Sequence, residues 1–356
     1  MRVLVIGAGA VGSLLGARLA LAGHAVTLVG RPALVEAVRG RGLTLIEPDG
    51  CRRAAEVAVV GDIAAAFAES AHKPGFSEKP GLYPFYDLAL VTVKAYDTAT
   101  VIVELTAATR TPPPLLTLQN GVGNEEALAA AVGADRVLAG ALNTPVSVPA
   151  PGHVQVHRPT YKIGLAPVAA GAAVDAVAAA LTGAGFTVGC FADYRGLKWT
   201  KLLMNILANA SSAILDWTPA QVMADPVASR LEAGAWQEAL AVMAASAIRP
   251  VALAGYPFPL LAPLARRLPV AWLARGLRGF VAGGRGSKMP SLHAALNAGK
   301  RSEVGWLNGA VTRYGREAGV ATPINARLTD ILTASTEGRA VWDDYRGRPE
   351  RLEAGL

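Results

Sequence analysis

Cysteine is nearly absent from this sequence, and its scarcity excludes two kinds of fold. Cys51 and Cys190 are the only two cysteines, far apart and without metal-ligating residues around them. A disulfide framework needs several paired cysteines and a zinc site needs clustered ligands, so we expect neither, and no metal. Free cysteines fit a reducing compartment, and we expect a cytoplasmic location.

Long apolar runs and clusters of basic residues are missing as well. The segment 251–281 is apolar, but four arginines and four prolines interrupt it, so no span of about 20 apolar residues remains to cross a membrane. A strand pattern begins at residue 2, where a signal peptide would lie. Basic residues are scattered and not interleaved with aromatic ones. We expect no membrane and no nucleic acid as partners, and we interpret 251–281 as a substrate lid or a subunit contact. The overlapping segment 255–288 is rich in basic residues, and the sequence does not give its role.

The remaining composition is that of a globular protein with two domains. The 356 residues are 52% hydrophobic and 17% charged, which is enough to bury sizeable cores. The formal net charge of +7 suits anionic ligands.

The first half of the chain alternates β-branched runs with alanine-rich helical patterns, which is typical of a parallel sheet with crossover helices. The predicted strands are 2–6, 25–29, 87–93, 115–118 and 137–139. Alternation over 152–165 predicts antiparallel strands that finish this sheet, followed by a helix at 171–181 and a last strand at 187–190. The segment 73–84 is rich in proline and glycine and predicts an exposed insertion. After residue 193 the pattern is helical, beginning with one helix over 199–215.

Three glycines lie between the first strand and the first helix. Gly7, Gly9 and Gly12 form G-x-G-x-x-G in the strand–turn–helix context that makes this motif specific. Gly7 permits a tight turn, Gly9 lets a pyrophosphate approach the backbone, and Gly12 lets the helix pack on the strand. A tight turn without ligand is the alternative. We predict an N-terminal Rossmann-type dinucleotide-binding domain over residues 1–190 and an all-α C-terminal domain over 191–356.

The end of the second strand indicates which dinucleotide binds. An acid at this position would bond the ribose hydroxyls of NAD, but here the strand is followed by Gly30 and Arg31. A guanidinium can pair with the 2′-phosphate that distinguishes NADP, so we predict NADPH. A solvated arginine at a helix start is the alternative for Arg31.

Polar residues follow two further strands. Lys94 ends the third predicted strand, and Asn120 follows the fourth in the sequence QNGVG. Ligands bind beyond the carboxyl ends of parallel strands, so we expect both residues near the cofactor.

The helical part supplies a second polar set. Lys201, Asn205 and Asn209 recur at intervals of four residues, which places them on one face of one helix. A snorkelling lysine and packing or capping amides are the alternative explanations, and Lys198 is a rival for a catalytic amine. We expect the reactive site in a cleft between the two domains.

Ser291 and Glu303 come from the last part of the chain. Glu303 precedes Trp306 on a helix that we expect to be partly buried. It could instead simply occupy a first helical turn, where the helix dipole favours an acid.

Taken in order, these motifs resemble the ketopantoate reductase family, also called 2-dehydropantoate 2-reductase. The resemblance covers nearly the whole chain. It rests on GAGAVG with Arg31, LVTVKAYD around Lys94, QNGVG, WTKLLMNILAN, and SEVGWLNG followed by ATPINARL.

The resemblance implies NADPH-dependent reduction of 2-dehydropantoate to pantoate, by hydride transfer to the 2-oxo carbonyl, with Lys201 as the general acid. It implies that Glu303 contacts the substrate, that Asn120 links cofactor and substrate, and that Lys94 lies on the ribose or substrate side. The remaining residues would hold substrate hydroxyl and carboxylate groups: Asn205, Asn209 and Ser291. The family pattern often has an acid and a tyrosine after the glutamate, where this chain has Gly305 and Trp306.

Two other functions remain open. One is an NADP-dependent dehydrogenase of another 2-oxo or 3-hydroxy acid. The other is an NADP-binding redox sensor without turnover, although a sensor would not require a lysine proton donor. Apolar helices in the second domain are compatible with a homodimer.

Overall fold

A computed structural model of the chain describes residues 1–68, 85–282 and 288–356. The predicted insertion at 73–84 lies outside the described residues, as do five residues of the 255–288 segment. The chain forms two compact units, which are Met1–Gln119 with Gly123–Leu197, and Asn120–Val122 with Lys198–Leu356. Among the described residues, no helix has both the length and the apolarity to cross a membrane.

The first unit is built on a parallel sheet, which confirms the predicted fold class. Its strands are β1 (Arg2–Ile6), β2 (Ala25–Val29), β3 (Leu43–Ile46), β4 (Arg52–Ala55), β5 (Ala58–Val60), β6 (Leu88–Val91), β7 (Leu115–Thr117), β8 (Val137–Leu142), β9 (Val146–Ala150), β10 (His153–Val156), β11 (Lys162–Pro167) and β12 (Thr187–Cys190). The main sheet has the order β12-β11-β8-β7-β6-β1-β2-β5, and a smaller sheet has the order β4-β3-β10-β9. Among the described strands of the main sheet, only the β11–β8 pairing is antiparallel.

The smaller sheet differs from the sequence prediction. Of the strands expected at 152–165 to finish the main sheet, only β11 joins it, while β10 pairs with β3 and β9. Strands β3 to β5 were not predicted because they are short and β4 is largely exposed, so they lack a strong apolar pattern.

Helices cover both faces of the main sheet, as a parallel sheet requires. They are α1 (Ala10–Leu21), α2 (Pro32–Val38), α3 (Ile63–Ala68), α4 (Thr98–Ala108), α5 (Asn124–Val132) and α6 (Val174–Gly183). Side chains alternate along β1, so that Val3 and Val5 pack in one core with residues of α1, while Leu4 and Ile6 pack in another with residues of α4.

The second unit is helical, as predicted, and its core surrounds the long helix α10. Its helices are α7 (Tyr194–Ile206, which enters this unit at Lys198), α8 (Ala210–Leu215), α9 (Pro219–Ala224), α10 (Pro226–Ala245), α11 (Phe258–Arg267), α12 (Val270–Ala282), α13 (Ser291–Asn297), α14 (Asn308–Glu317), α15 (Pro323–Glu337), α16 (Arg339–Tyr345) and α17 (Glu350–Glu353). The single helix predicted over 199–215 is wrong. It breaks at residues 207–209, where Ala208 adopts a left-handed φ of 52°.

Candidate functional site

Four neighbouring strands of the first unit end in register at one edge of the sheet. Ile6 pairs with both Val29 and Val91, and Val91 pairs with Thr117. The segments that leave these strands therefore start at the same edge. This edge carries the glycine loop, Arg31 and Lys94, which is the position where parallel sheets bind ligands.

The three glycines of the loop have different surroundings. Gly7 has a left-handed φ of 98°, and a Cβ on it would lie 2.6 Å from the backbone nitrogen of Val93. A Cβ on Gly12 would lie 2.5 Å from the carbonyl oxygen of Gly7. A Cβ on Gly9 would meet nothing within 4 Å. Gly7 and Gly12 are thus required for packing, whereas the space beside Gly9 is open.

Arg31 and Lys94 both lie on this edge and are both exposed. Arg31 immediately precedes α2, and Lys94 immediately precedes a short 3-10 turn (Ala95–Asp97). Neither side chain caps the element that follows it.

A buried network holds the loop of Lys94, and sequence reasoning missed it. The Gln119 carboxamide donates to the hydroxyl of Thr98 at 2.8 Å and to the Lys94 carbonyl at 3.5 Å, and it accepts from the hydroxyl of Thr117 at 3.0 Å. Thr98 also bonds Asn124 at 3.1 Å. Gln119 therefore ties the segments after β6 and β7 together. The position of Gln119 directly after a buried strand is the sequence signal that could have identified it.

The second unit brings Asn120 and Asn205 into contact. The Asn205 Nδ2 donates to Oδ1 of Asn120 at 3.0 Å. Asn120 belongs to the short peptide Asn120–Val122, which packs with the second unit although it lies between strands of the first in the sequence. The contact joins the QNGVG motif to the helix that carries Lys201.

Asn209 lies on the break after α7, at the N-cap of α8, so it does not share one helix with Lys201 and Asn205. Its Nδ2 donates to the Asn205 carbonyl at 2.9 Å, and its Oδ1 accepts from the backbone N–H of Leu292 at 3.4 Å. It does not cap α8. Ser291, which precedes Leu292, is the exposed first residue of α13.

Glu303 is buried and precedes a 3-10 turn (Val304–Trp306) instead of lying on a regular helix. The Trp306 carbonyl accepts from the backbone N–H of Val122 at 3.3 Å. A Cβ on Gly121 would lie only 2.3 Å from this carbonyl oxygen, so glycine is required there. The turn after Glu303 is thereby held against the peptide of Asn120.

The two candidate lysines of α7 differ in burial. Lys201 is partly exposed, whereas Lys198 is only 3% exposed. Lys201 precedes Asn205 by one helical turn, so the two side chains lie on the same face of α7. Lys201 is therefore the more accessible of the two lysines.

A buried carboxylate, Glu232 of α10, lies at the break between α7 and α8. It accepts from the backbone N–H of Ala208 at 2.6 Å and from the Ser211 hydroxyl. Burial raises the pKa of Glu232 to about 7, although the bonds from Ser211 and Ala208 lower it. Sequence reasoning missed this residue because its partners lie more than 20 positions away.

The described residues contain no group of three or more histidine, cysteine or acidic side chains that could hold a metal ion. Cys51 and Cys190 are both exposed and free.

Comparison with known proteins relates both units to one family. Residues 3–168 match the family model "Ketopantoate reductase PanE/ApbA", and residues 193–336 match its C-terminal counterpart. The 2-dehydropantoate 2-reductase of Halobacterium salinarum is 30% identical over 334 residues, which cover 93% of this chain and 98% of that protein. The enzyme of the same name from Archaeoglobus fulgidus is 30% identical over 338 residues, covering 95% and 98%.

Solved structures show the same fold. A PanE/ApbA family ketopantoate reductase from Ralstonia eutropha superposes with a TM-score of 0.76 at 27% identity, covering 97% of this chain and 99% of that one. D-mandelate dehydrogenase in a ternary structure with NADH and anilino(oxo)acetate gives a TM-score of 0.75 at 22% identity, covering 95% and 98%. At that identity the second likeness shows the fold alone.

The raised pKa of Glu232 predicts a pH dependence of stability. The folded state holds the proton up to about pH 7, whereas an unfolded glutamate loses it near pH 4.3. The stabilising proton uptake is therefore lost as the pH rises through 7. Relative to Glu232→Gln, which does not titrate, we expect the wild-type free energy of unfolding to fall by up to about 3 kcal/mol between pH 5 and 8.

Urea unfolding at several pH values, followed by tryptophan fluorescence, measures this difference. All six tryptophans lie between residues 199 and 342, so the signal reports on the second unit. Glu350→Gln, at an exposed position, is the control. Parallel pH curves for wild type and Glu232→Gln would contradict the prediction.

Proposed function

This chain belongs to the ketopantoate reductase family, and we propose that it reduces 2-dehydropantoate to pantoate with NADPH. The observation that carries the proposal is the contact between Asn205 and Asn120, which joins the lysine-bearing helix to the QNGVG peptide. The chain has the two parts such a reaction needs, a dinucleotide-type sheet edge and a polar set with a lysine. The family is one of oxidoreductases.

We assign cofactor binding to residues 1–190 and substrate binding to residues 191–356, with Asn120 contributing to the substrate side. Gly7 and Gly12 would shape the loop, and Gly9 would receive the pyrophosphate. Arg31 would pair with the 2′-phosphate. Lys94 would lie against the ribose or the substrate.

Lys201 is the proposed general acid. When bound, NADPH supplies the hydride for the 2-oxo carbon. Negative charge then develops on the 2-oxo oxygen, and the Lys201 ammonium both stabilises this charge and delivers the proton. Asn120 and Asn205, whose carboxamides already meet, would orient the substrate.

The other polar residues of the second unit would hold the substrate's hydroxyl and carboxylate groups. Ser291 offers an exposed hydroxyl at the start of α13, and Glu303 would accept a hydrogen bond from a substrate hydroxyl. Asn209 already bonds Asn205 and Leu292, which leaves its second N–H as the group for a substrate contact.

A bulkier 2-oxo acid is a second candidate substrate. The Arg301 guanidinium lies 5.8 Å from the centre of the Trp306 ring. This pair adds an aromatic surface and a cation next to Glu303, and both would suit a larger anionic substrate.

The same family assignment and the free cysteines support a cytoplasmic location. A homodimer is also proposed, because α11 and α12 expose large apolar side chains: Leu260 at 77%, Leu264 at 58% and Trp272 at 65%.

The substrate is tested by NADPH oxidation, followed by absorbance, with 2-dehydropantoate, 2-oxoisovalerate, an aryl 2-oxo acid and a 3-oxo acid. We expect the highest kcat/KM with 2-dehydropantoate. Preference for the aryl acid would favour the second candidate. Tight NADPH binding without turnover of any acid would contradict both and favour a sensor.

Replacing the proton donor should slow turnover without removing the cofactor. Lys201→Ala is expected to lower kcat roughly a hundredfold or more, because general acid catalysis is lost. Lys198→Gln, one turn earlier on the same helix, is the matched control and should keep most of its kcat. The assignment fails if the two variants exchange these behaviours or if Lys201→Ala remains near wild type.

Arg31 should discriminate between the two nicotinamide cofactors. Arg31→Ala is expected to weaken NADPH binding about tenfold or more, because a charge-assisted bond to the 2′-phosphate is lost, and to leave NADH binding unchanged. Fluorescence titration with both cofactors measures this, and Arg39→Ala, exposed at the end of the same helix, is the control. An equal loss for both cofactors would argue against the phosphate contact.

A further inference from the structure

Two side chains of α10 hold the break between α7 and α8. Glu232 and Trp236 are four residues apart, so they lie on the same face of α10. The Trp236 indole N–H donates to the Leu203 carbonyl at 2.9 Å, and Glu232 accepts from the Ala208 N–H at 2.6 Å. One side chain thus binds the end of α7, and the other binds the segment before α8.

These bonds satisfy backbone groups that a helix break leaves without helical partners. The last carbonyls of a helix and the first amides of the next have no partner within their own helix. Ala208 has a left-handed φ of 52°, which a non-glycine residue adopts only when its surroundings hold it there. Glu232 supplies that support, because it also binds the Ser211 hydroxyl in the first turn of α8.

The segment held in this way lies between two proposed substrate residues. Asn205 is in the last turn of α7, and Asn209 precedes α8. Asn209 bonds the Asn205 carbonyl, and Asn205 in turn bonds Asn120. A rotation at Ala208 would therefore move the Asn209 carboxamide and disturb the bond to Asn205.

We propose that Glu232 is a positioning residue of the substrate site, which fixes the connection at residues 207–209 and through it the orientation of Asn205 and Asn209. The proposal rests on the proposed function, since it takes these two amides as substrate ligands. Glu232 itself is 2% exposed and acts only through its neighbours.

A carboxyl group suits this task better than an apolar side chain would. Its two oxygens reach two donors, the Ala208 N–H within the break and the Ser211 hydroxyl in the first turn of α8. Burial of an acid is unfavourable for stability, and the pKa of Glu232 is raised accordingly. An apolar residue would avoid that penalty, but it would leave the buried Ala208 N–H without an acceptor.

The test is Glu232→Met, which keeps a side chain of similar volume and removes both acceptors. We expect the KM for the 2-oxo acid to rise about tenfold, as for one misplaced substrate hydrogen bond, with NADPH affinity unchanged. Glu232→Gln keeps an acceptor for Ala208 and a donor for Ser211, and it should restore a KM near wild type. If Glu232→Met does not fold, Ser211→Ala replaces it and should raise KM by a smaller factor.

Glu238 provides a matched control on the same helix. Its carboxylate accepts from the backbone N–H of Ile324 at 2.8 Å and of Asn325 at 2.9 Å, at the start of α15. Burial raises its pKa as well. Glu238→Met removes a comparable pair of acceptors at the start of α15, away from residues 207–209. It should therefore lower stability and leave KM unchanged.

An unchanged KM in a folded Glu232→Met protein, or an equal rise in Glu238→Met, would overturn the proposal. If the wild type turns over no 2-oxo acid, the proposed function is what fails. Hydrogen exchange of the backbone then tests whether Glu232 fixes the connection at residues 207–209. Faster exchange at residues 207–212 in Glu232→Met alone would support it. Unchanged exchange there would overturn it.

Discussion

In the second unit, the candidate site residues Asn120 and Glu303 are held together by the close approach of the Gly121 backbone to the carbonyl of Trp306. Gly121 has a φ of 84°, and any Cβ would lie 2.3 Å from that oxygen. The approach seats the three residues Asn120–Val122 against the turn that follows Glu303, and the Val122 N–H then bonds the same carbonyl. In the same peptide, Asn120 accepts a hydrogen bond from the Asn205 carboxamide at 3.0 Å. A single residue without a side chain thus brings distant parts of the sequence together.

Much of the first unit could be predicted from local pattern. Strands such as β1 and β2 are predicted from continuous apolar runs, and the glycine motif between strand and helix predicts the loop that joins them. Lys94 was also found, because its location follows from a rule about strand ends. These features depend on neighbours in sequence, and register then places them on one edge.

Apart from the short strands β4 and β5, the features that sequence reasoning missed depend on partners far along the chain. The smaller sheet pairs β3 with β10, more than 100 residues later. The break after α7 cannot be read from the apolar spacing of 199–215, because it is held by Glu232 of α10. Gln119 was quoted as part of a motif, but its bond to Thr98 required the structure. Local periodicity carries no information about such contacts.

Four of the candidate site residues share one kind of location in the chain. Arg31, Lys94, Asn209 and Glu303 each occupy the N-cap of the helix or turn that follows, and none of them caps it. A polar residue at a helix start is ordinarily assigned to capping, as we allowed for Asn209. Here the Asn209 carboxamide instead bonds Asn205 and Leu292, so the alternative of a simple cap is excluded for that residue. The partners of Asn209 therefore belong to α7 and α13. Such an arrangement, unlike a cap, cannot be predicted from neighbours in the sequence.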